Sequence, residues 1–212
     1  MTISKMMMAG LLLGTASMAQ AVTVKWASLT AQPNATTVTG TVDGVGLTYT
    51  GSVNFSQLNN TGTDYWVDGG YTQGVVNRPL GRDLISLNFG GLKTITFAAP
   101  VKDVYLAFTS WNGVSAQFDA PFTVVSQGCG FWGCGTFNVN GTNDGFLGNG
   151  ETHGVLKFSG SFSSISFTDS QENWHGFTVG TAAVPEPASW ALMIAGFGLV
   201  GASMRRRRMV AA

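Results

Sequence analysis

The stretch "LKTITFAAPVKDVYLAFT" at residues 92–109 carries the pattern that sets the fold class of this chain. Its first part alternates apolar and polar residues, and in its second part Val104, Leu106 and Phe108 fall on one face of an extended segment. Pro100 lies between the two parts, and a missing amide hydrogen does least harm at the beginning of a strand. The stretch therefore predicts two β-strands that meet near Pro100.

Similar short runs recur along the chain. In "SISFTD" at residues 164–169, Ile165 and Phe167 share one face. Clusters rich in Gly, Asn and Asp, such as "NNTGTD" and "NVNGTNDGFLGNGE", separate these runs and are typical of turns. No apolar period near 3.6 residues persists, and no repeat of fixed period occurs. About ten short strands with glycine-rich connections predict an all-β fold, a single β-sandwich of jelly-roll type.

The N-terminal residues have the order of a secretory signal peptide. Lys5 precedes an apolar stretch at residues 6–13, and Ala19 and Ala21 form an A-x-A cleavage site. The apolar part is too short to span a bilayer, so we expect signal peptidase to cut after Ala21, once the secretion translocon has exported the chain. The alternative, a buried N-terminal helix, has no helical period after it to pack against.

The charge of the exported part limits its partners. Residues 22–184 contain six Lys or Arg against ten Asp or Glu, a net charge of −4. Nucleic-acid binding requires clustered positive charge, so no nucleic-acid partner is predicted.

The two cysteines, Cys129 and Cys134 in "CGFWGC", predict a disulfide in an exported chain. Closing so short a loop stabilises the fold by roughly 2 kcal/mol. A metal or redox pair is the alternative. It lacks a C-x-x-C spacing and a second cysteine pair, and His153 and His175 are the only histidines available to complete a metal site.

The C-terminal stretch "VPEPASWALMIAGFGLVGASMRRRR" at residues 184–208 differs from everything before it. Pro185 and Pro187 favour extended backbone in the residues that precede them. Residues 188–204 hold no charged side chain and would reach about 25 Å as a helix, the short end of the range for a membrane span. Trp190 suits the outer interface. Four arginines follow, which stay on the cytoplasmic side: Arg205, Arg206, Arg207 and Arg208.

This tail resembles the PEP-CTERM sorting signal of exopolysaccharide-producing bacteria, in the variant with Trp-Ala after the motif. The resemblance rests on Pro185-Glu186-Pro187, on Trp190-Ala191, on "GFG" at residues 196–198 and on the basic cluster. It implies that exosortase, a membrane-embedded cysteine transpeptidase-like enzyme, cuts near the motif, whose residues are then recognition residues of a substrate. A stiff linker that stops the helix is the alternative reading of the two prolines.

These features divide the chain into five segments. We expect a signal peptide at residues 1–21, a β-sandwich ectodomain at 22–180, a linker with the motif at 181–187, a transmembrane helix at 188–204 and a basic cytoplasmic tail at 205–212. The chain is expected to be anchored transiently in the inner membrane with its domain in the periplasm, and then to reach the cell surface or the medium.

No catalytic pattern is recognisable in the ectodomain, and we expect it not to be an enzyme. His153 and His175 lie outside any nucleophile or metal motif. A secreted hydrolase would need carboxylates such as Asp64 and Asp68 to meet in space. No cofactor is predicted. Calcium, which takes six to eight oxygen ligands, is the alternative, with Asp144 and Glu151 in a glycine-rich loop as candidate ligands.

Carbohydrate, exopolysaccharide in particular, is the predicted ligand of the domain. Sugars are bound by aromatic faces and a few polar groups, and the predicted loops carry six large aromatic residues. They are Trp66, Tyr71, Trp111, Phe131, Trp132 and Trp174. Trp132, at the tip of the predicted disulfide loop, is the first candidate, followed by Trp111 and Trp66. Two alternatives stay open: these rings fill the core, and the domain is a structural or adhesive surface protein without a small-molecule site.

Overall fold

A computed structural model describes residues 22–67, 69–75, 77–183 and 193–200 of the 212-residue chain. Three parts of the predicted organisation lie outside these residues. They are the signal peptide with Ala19 and Ala21, the motif Pro185-Glu186-Pro187 with Trp190, and the four arginines at 205–208.

The described domain consists of thirteen strands and one short 3-10 helix at Gly69–Tyr71. The strands are β1 (Val24–Trp26), β2 (Ser28–Asn34), β3 (Thr37–Val42), β4 (Val45–Thr50), β5 (Phe55–Gln57), β6 (Leu84–Leu87), β7 (Gly91–Thr109), β8 (Ser115–Phe118), β9 (Thr123–Gly128), β10 (Gly135–Val139), β11 (Gly145–Gly150), β12 (His153–Asp169) and β13 (His175–Ala182). All strand pairs are antiparallel and belong to one hydrogen-bonded network.

The two long strands β7 and β12 join two halves of this sheet. They pair with each other along most of their length, and the register shifts between Phe158 and Ser161 and again between Phe162 and Ser164. The first part of β7 pairs with β4 and its last part with β13, whereas β12 pairs first with β9 and then with β8. Register shifts of this kind bend strands, so each long strand passes from one half of the sheet to the other.

The two halves pack face to face around an aromatic core. Tyr49 of β4 lies 5.7 Å from Phe177 of β13, measured between ring centroids, and Phe118 of β8 lies 5.1 Å from Phe158 in the first part of β12. The predicted all-β class is therefore confirmed. In the described part of the chain, however, the strands form one continuous antiparallel sheet and not the two separate sheets of a jelly roll.

Residues 92–109 form a single strand, where the sequence predicted two. Pro100 lies within β7, but it falls between the residues that pair with β12 at Thr96 and Val101, and it is solvent-exposed. No ladder hydrogen bond is lost there, which explains why the strand continues through the proline.

The last strand, β13, runs to Ala182, two residues beyond the predicted domain boundary at 180. Residues 193–200, within the predicted span at 188–204, are helical. In the ranges that the structure describes, no helix combines the length and the apolarity needed to cross a membrane.

Candidate functional site

Five aromatic side chains meet on one surface of the domain. We call this group the aromatic patch: Phe55, Tyr65, Phe131, Trp132 and Trp174. Ring centroids of Tyr65 and Trp174 lie 4.9 Å apart, those of Tyr65 and Phe131 5.1 Å, and those of Trp132 and Trp174 6.1 Å. Phe55 contacts Trp174 at 6.5 Å from the edge of the group. Phe131 and Trp132 are 41 % and 53 % exposed, so the patch presents apolar ring surface to solvent.

Four separate segments of the chain supply these rings. Phe55 is the first residue of β5, Trp174 directly precedes β13, and Phe131 and Trp132 lie between β9 and β10. Tyr65 lies in the connection that leads from β5 to the 3-10 helix. Tyr65 and Trp174 also pack against the smaller buried cluster beneath the patch, so two of the five rings are anchored in the domain interior.

The disulfide predicted from the sequence is confirmed and fixes the loop that carries Phe131 and Trp132. Cys129 and Cys134 are bonded, and within the loop the backbone N–H of Gly130 donates to Gly133 O at 2.8 Å. Gly130 packs directly on the ring of His153, where an added Cβ would overlap the imidazole. The loop is thus tied at its base and pressed against a buried side chain, which restricts the orientation of the two exposed rings.

Trp174 is held by a carboxylate that also faces a buried histidine. The backbone N–H of Trp174 donates to Glu172 Oε2 at 3.2 Å, and His175 Nδ1 lies 3.4 Å from the same oxygen. On the other side of the imidazole, His175 Nε2 lies 2.9 Å from Asp169 Oδ2. Asp169 also pairs with the ammonium group of Lys93, and both of these side chains are fully buried. A buried chain of alternating charges therefore runs from β7 to the patch.

The charge of this chain follows from its hydrogen bonds. Burial alone would lower the pKa of His175, but hydrogen bonds with Asp169 and Glu172 outweigh the effect of burial and raise that pKa above its usual value. The imidazolium form is thereby stabilised between the two carboxylates. Lys93 completes the compensation, because its ammonium group also donates to Phe89 O at 2.6 Å and Gly91 O at 3.1 Å.

Tyr65 is positioned by an ion pair at the preceding residue. Asp64 accepts a hydrogen bond from Trp66 N at 3.0 Å and pairs with Arg78 Nη1 at 2.9 Å. The same Arg78 nitrogen donates to Trp66 O at 2.8 Å. These bonds hold the backbone N–H and C=O of Trp66, whose ring is buried, while the neighbouring Tyr65 is partly exposed.

The structure corrects the expectation for Trp66 and Trp111, which are both fully buried. Trp66 packs against Tyr71 at 5.4 Å, and Trp111 donates its indole N–H to Gly176 O at 3.0 Å within the core. Neither ring has a face available to a sugar. The alternative stated for them, that loop aromatic residues fill the core, holds for these two and for Tyr71, whereas Phe131, Trp132 and Trp174 contribute to the patch.

The two calcium candidates do not come together. Asp144 and Glu151 flank opposite ends of β11, and each already accepts hydrogen bonds. Asp144 accepts hydrogen bonds from Thr142 Oγ1 at 2.6 Å and from Asn140 Nδ2 at 2.7 Å. These bonds lower the pKa of Asp144 to about 2, and the bond from Thr142 has the largest effect. Glu151 accepts from Ser110 Oγ and from Asn112 Nδ2. Among the described residues, no three His, Cys, Asp or Glu side chains lie close enough together to hold a metal ion.

His153 and His175 are both buried. His153 Nδ1 accepts from Ser110 N at 3.2 Å and lies 3.1 Å from Thr109 Oγ1 and 3.2 Å from the Tyr71 hydroxyl. His175 has the role in the buried charge chain described above. Each imidazole supports loops from within the domain.

Sequence reasoning missed Phe55, Tyr65 and Glu172. Phe55 ends the run "LTYTGSVNF" at residues 47–55, in which alternation would bury Phe55 together with Val53. Val53 is buried, but Phe55 is exposed on the short strand β5. The adjacent pair Tyr65-Trp66 is the signal that could have indicated one inward and one outward ring. Nothing in the sequence relates Glu172 to the patch.

Comparison with known proteins identifies the segment that follows the domain. Residues 183–208 match the family model described as the PEP-CTERM protein-sorting motif. No curated protein and no solved structure matches the chain.

The matched motif supports an exported surface protein that is sorted through a C-terminal signal. More particularly, the chain carries a PEP-CTERM sorting motif, whose processing partner is exosortase. The motif implies export with a membrane-anchored sorting signal, followed by delivery to the surface.

Proposed function

We propose that this chain is an exosortase-processed surface protein whose β domain binds a neutral polysaccharide of the extracellular matrix through the aromatic patch. The observation that carries the proposal is the convergence of five aromatic rings from four chain segments, with Phe131 and Trp132 about half exposed. Aromatic faces bind the apolar C–H faces of sugar rings, and a patch of several rings suits consecutive sugar units. Exposing such rings in water is unfavourable unless a partner covers them.

The charges near the patch favour a neutral polymer over an acidic one. The carboxylates of Asp64 and Glu172 lie beside its rings and are each compensated by one cationic neighbour, Arg78 and His175 respectively. Residues 22–184 carry a net charge of −4, so the domain repels a polyanion at long range. The contacts described for the patch include no cationic side chain beyond those that pair with these two carboxylates.

We also propose that the domain acts as a binding module without catalytic activity or a cofactor, and that export passes through the periplasm with a transient membrane anchor. Two features support a binding role. The loop acids Asp144 and Glu151 are engaged by neighbouring donors, and the two imidazoles are buried beneath the surface. A rigid aromatic surface loses little conformational entropy on binding, which suits a module that holds a polymer.

The test is affinity electrophoresis or calorimetry of the domain at residues 22–183 with a neutral glucan and with an acidic polysaccharide. We expect binding to the neutral polymer, and a loss of at least about tenfold in affinity for Trp132→Ala, because a central exposed ring is the kind of residue that dominates an interface. Phe89→Ala is the matched control, since Phe89 is 56 % exposed but lies outside the patch. Its affinity should equal that of the wild type.

The rival function is adhesion between protein copies through the same patch. It predicts no binding to any polysaccharide, together with self-association that rises with protein concentration and disappears in Trp132→Ala. That result, measured by sedimentation, would contradict carbohydrate binding and assign the patch to assembly.

A further inference from the structure

The first and last strands of the domain pair with each other. Val24 of β1 lies opposite Ala182 of β13, and the backbone N–H of Ala183 donates to Thr23 O at 2.8 Å. The other neighbour of β13, β7, pairs only as far as Thr181. Within the described residues, β1 is therefore the strand that holds the end of β13 at Ala182 and Ala183.

The side chain of Asn77 locks β1 in place. Val24 N donates to Asn77 Oδ1 at 2.8 Å, and Asn77 Nδ2 donates to Val24 O at 2.7 Å. The indole N–H of Trp26 donates to Asn77 O at 3.3 Å. Val24 also packs closely over Gly180, where an added Cβ would lie 2.5 Å from Val24 Cγ1. Asn77 thus occupies the edge of β1 that β13 leaves open.

The sorting motif begins where this pairing ends. The matched residues start at 183, and Pro185 follows Ala183 by two positions, a distance of at most about 7 Å along any chain. An enzyme that acts on a peptide commonly binds it as an extended strand, with several residues in its cleft. A cleft that takes in Ala182 and Ala183 would require both residues to leave β1.

We propose that the β1–β13 pair gates processing at the sorting motif, so that exosortase acts on chains in which Ala182 and Ala183 have separated from Thr23 and Val24. The inference rests on the processing by exosortase that the motif implies. Opening is local, because the core of β13 remains paired with β7. The loss of one hydrogen bond shifts such an opening equilibrium by roughly 2- to 12-fold. The two hydrogen bonds between Asn77 and Val24 therefore influence how often β1 separates from β13, and with it the rate of processing.

The experiment follows the processing rate of the full chain in a host that carries exosortase, by pulse-chase and immunoblotting. Insertion of Gly-Ser-Gly-Ser between Ala183 and Val184 moves the motif away from the domain and should accelerate processing. Asn77→Ala should accelerate it about fivefold or more by loosening β1. Asn112→Ala, which removes an Asn side-chain bond outside this pair, is the matched control and should leave the rate unchanged.

The combination of Asn77→Ala with the spacer discriminates gating from unfolding. If β1 gates access, the double variant processes at the rate of the spacer variant. A further acceleration would mean that Asn77→Ala acts through unfolding of the domain, and would overturn the proposal. The spacer leaves every described contact intact, so it tests the gate even if Asn77→Ala fails to fold.

Two further outcomes separate the gate from the sorting function. If the spacer leaves the rate unchanged while Pro185→Ala with Pro187→Ala abolishes processing, the gate is wrong and sorting stands. If the double proline variant is processed and delivered like the wild type, exosortase sorting itself is wrong, and the gate fails with it.

Discussion

At the scale of single residues, Lys93 shows how a buried charge is stabilised in an apolar core. It follows the alternation of β7, which places Lys93 on the same inward face as Ile95 and Phe97. A lone ammonium there would be very costly, but Asp169 pairs with it and two backbone carbonyls accept its remaining hydrogens. The sequence alone does not identify Lys93 as a buried charge, because an inward cation can be recognised only once its partner on another strand is known.

His175 gives a pH dependence whose sign follows from its raised pKa. Protonation is favoured in the folded state, so the contribution of His175 to stability is complete below its unfolded pKa, about 6.5, and is lost as the pH rises through the higher folded pKa. Between these two values, stability should fall by at most about 1.4 kcal/mol per pH unit. The groups that face the imidazole are the carboxylates of Asp169 and Glu172, and the ammonium group of Lys93 pairs with Asp169.

The measurement is the free energy of unfolding of the wild type and of His175→Gln in urea between pH 6 and pH 9. The stability advantage of the wild type should be greatest at pH 6 and should shrink as the pH rises. Parallel pH profiles for the two proteins would contradict the charge chain from β7 to the patch.

At the scale of elements, the disulfide loop shows how a weak covalent constraint can matter more for a site than for a fold. The loop between Cys129 and Cys134 carries the two most exposed rings of the patch, yet neither ring belongs to the main core. Reduction should therefore release Phe131 and Trp132 while leaving the strands around them paired.

Cys129→Ser combined with Cys134→Ser tests this role. We expect a stability loss of about 2 kcal/mol by thermal unfolding, and a loss of roughly fivefold in polysaccharide affinity, because a free loop must be ordered on binding. Reduction of the wild type with dithiothreitol should reproduce both effects. Unchanged affinity in the reduced protein would mean that the loop does not need the disulfide to present its rings.

The elements also show which features local sequence can predict. Alternation identified the strands around Ile95, Leu106 and Phe167, because each apolar face is set by residues two positions apart. It could not predict that β7 passes through Pro100, since that depends on which amide groups its neighbours need. The aromatic patch requires four segments to converge, and the sequence offered candidates in two of them, Phe131 and Trp132 in the disulfide loop and Trp174 before β13.

At the scale of the whole molecule, the two ends of the domain lie together. Thr23 and Ala183 are hydrogen-bonded, so the predicted start of the mature chain at Val22 lies beside Ala183, the first residue of the matched range 183–208. The tail could be recognised from sequence alone, because its prolines, apolar run and arginines form one contiguous pattern. The ligand of the domain could not, because it depends on the surface that folding assembles.

We propose that this chain is exported and cut at both ends, which releases or attaches its β domain. Mass spectrometry of the protein recovered from the envelope and the culture medium of an exosortase-carrying host tests it most directly. We expect a mature chain that begins at Val22 and ends close to Pro185-Glu186-Pro187, without the arginines at 205–208. A surface or secreted protein that retains both Met1 and residues 205–212 would contradict it.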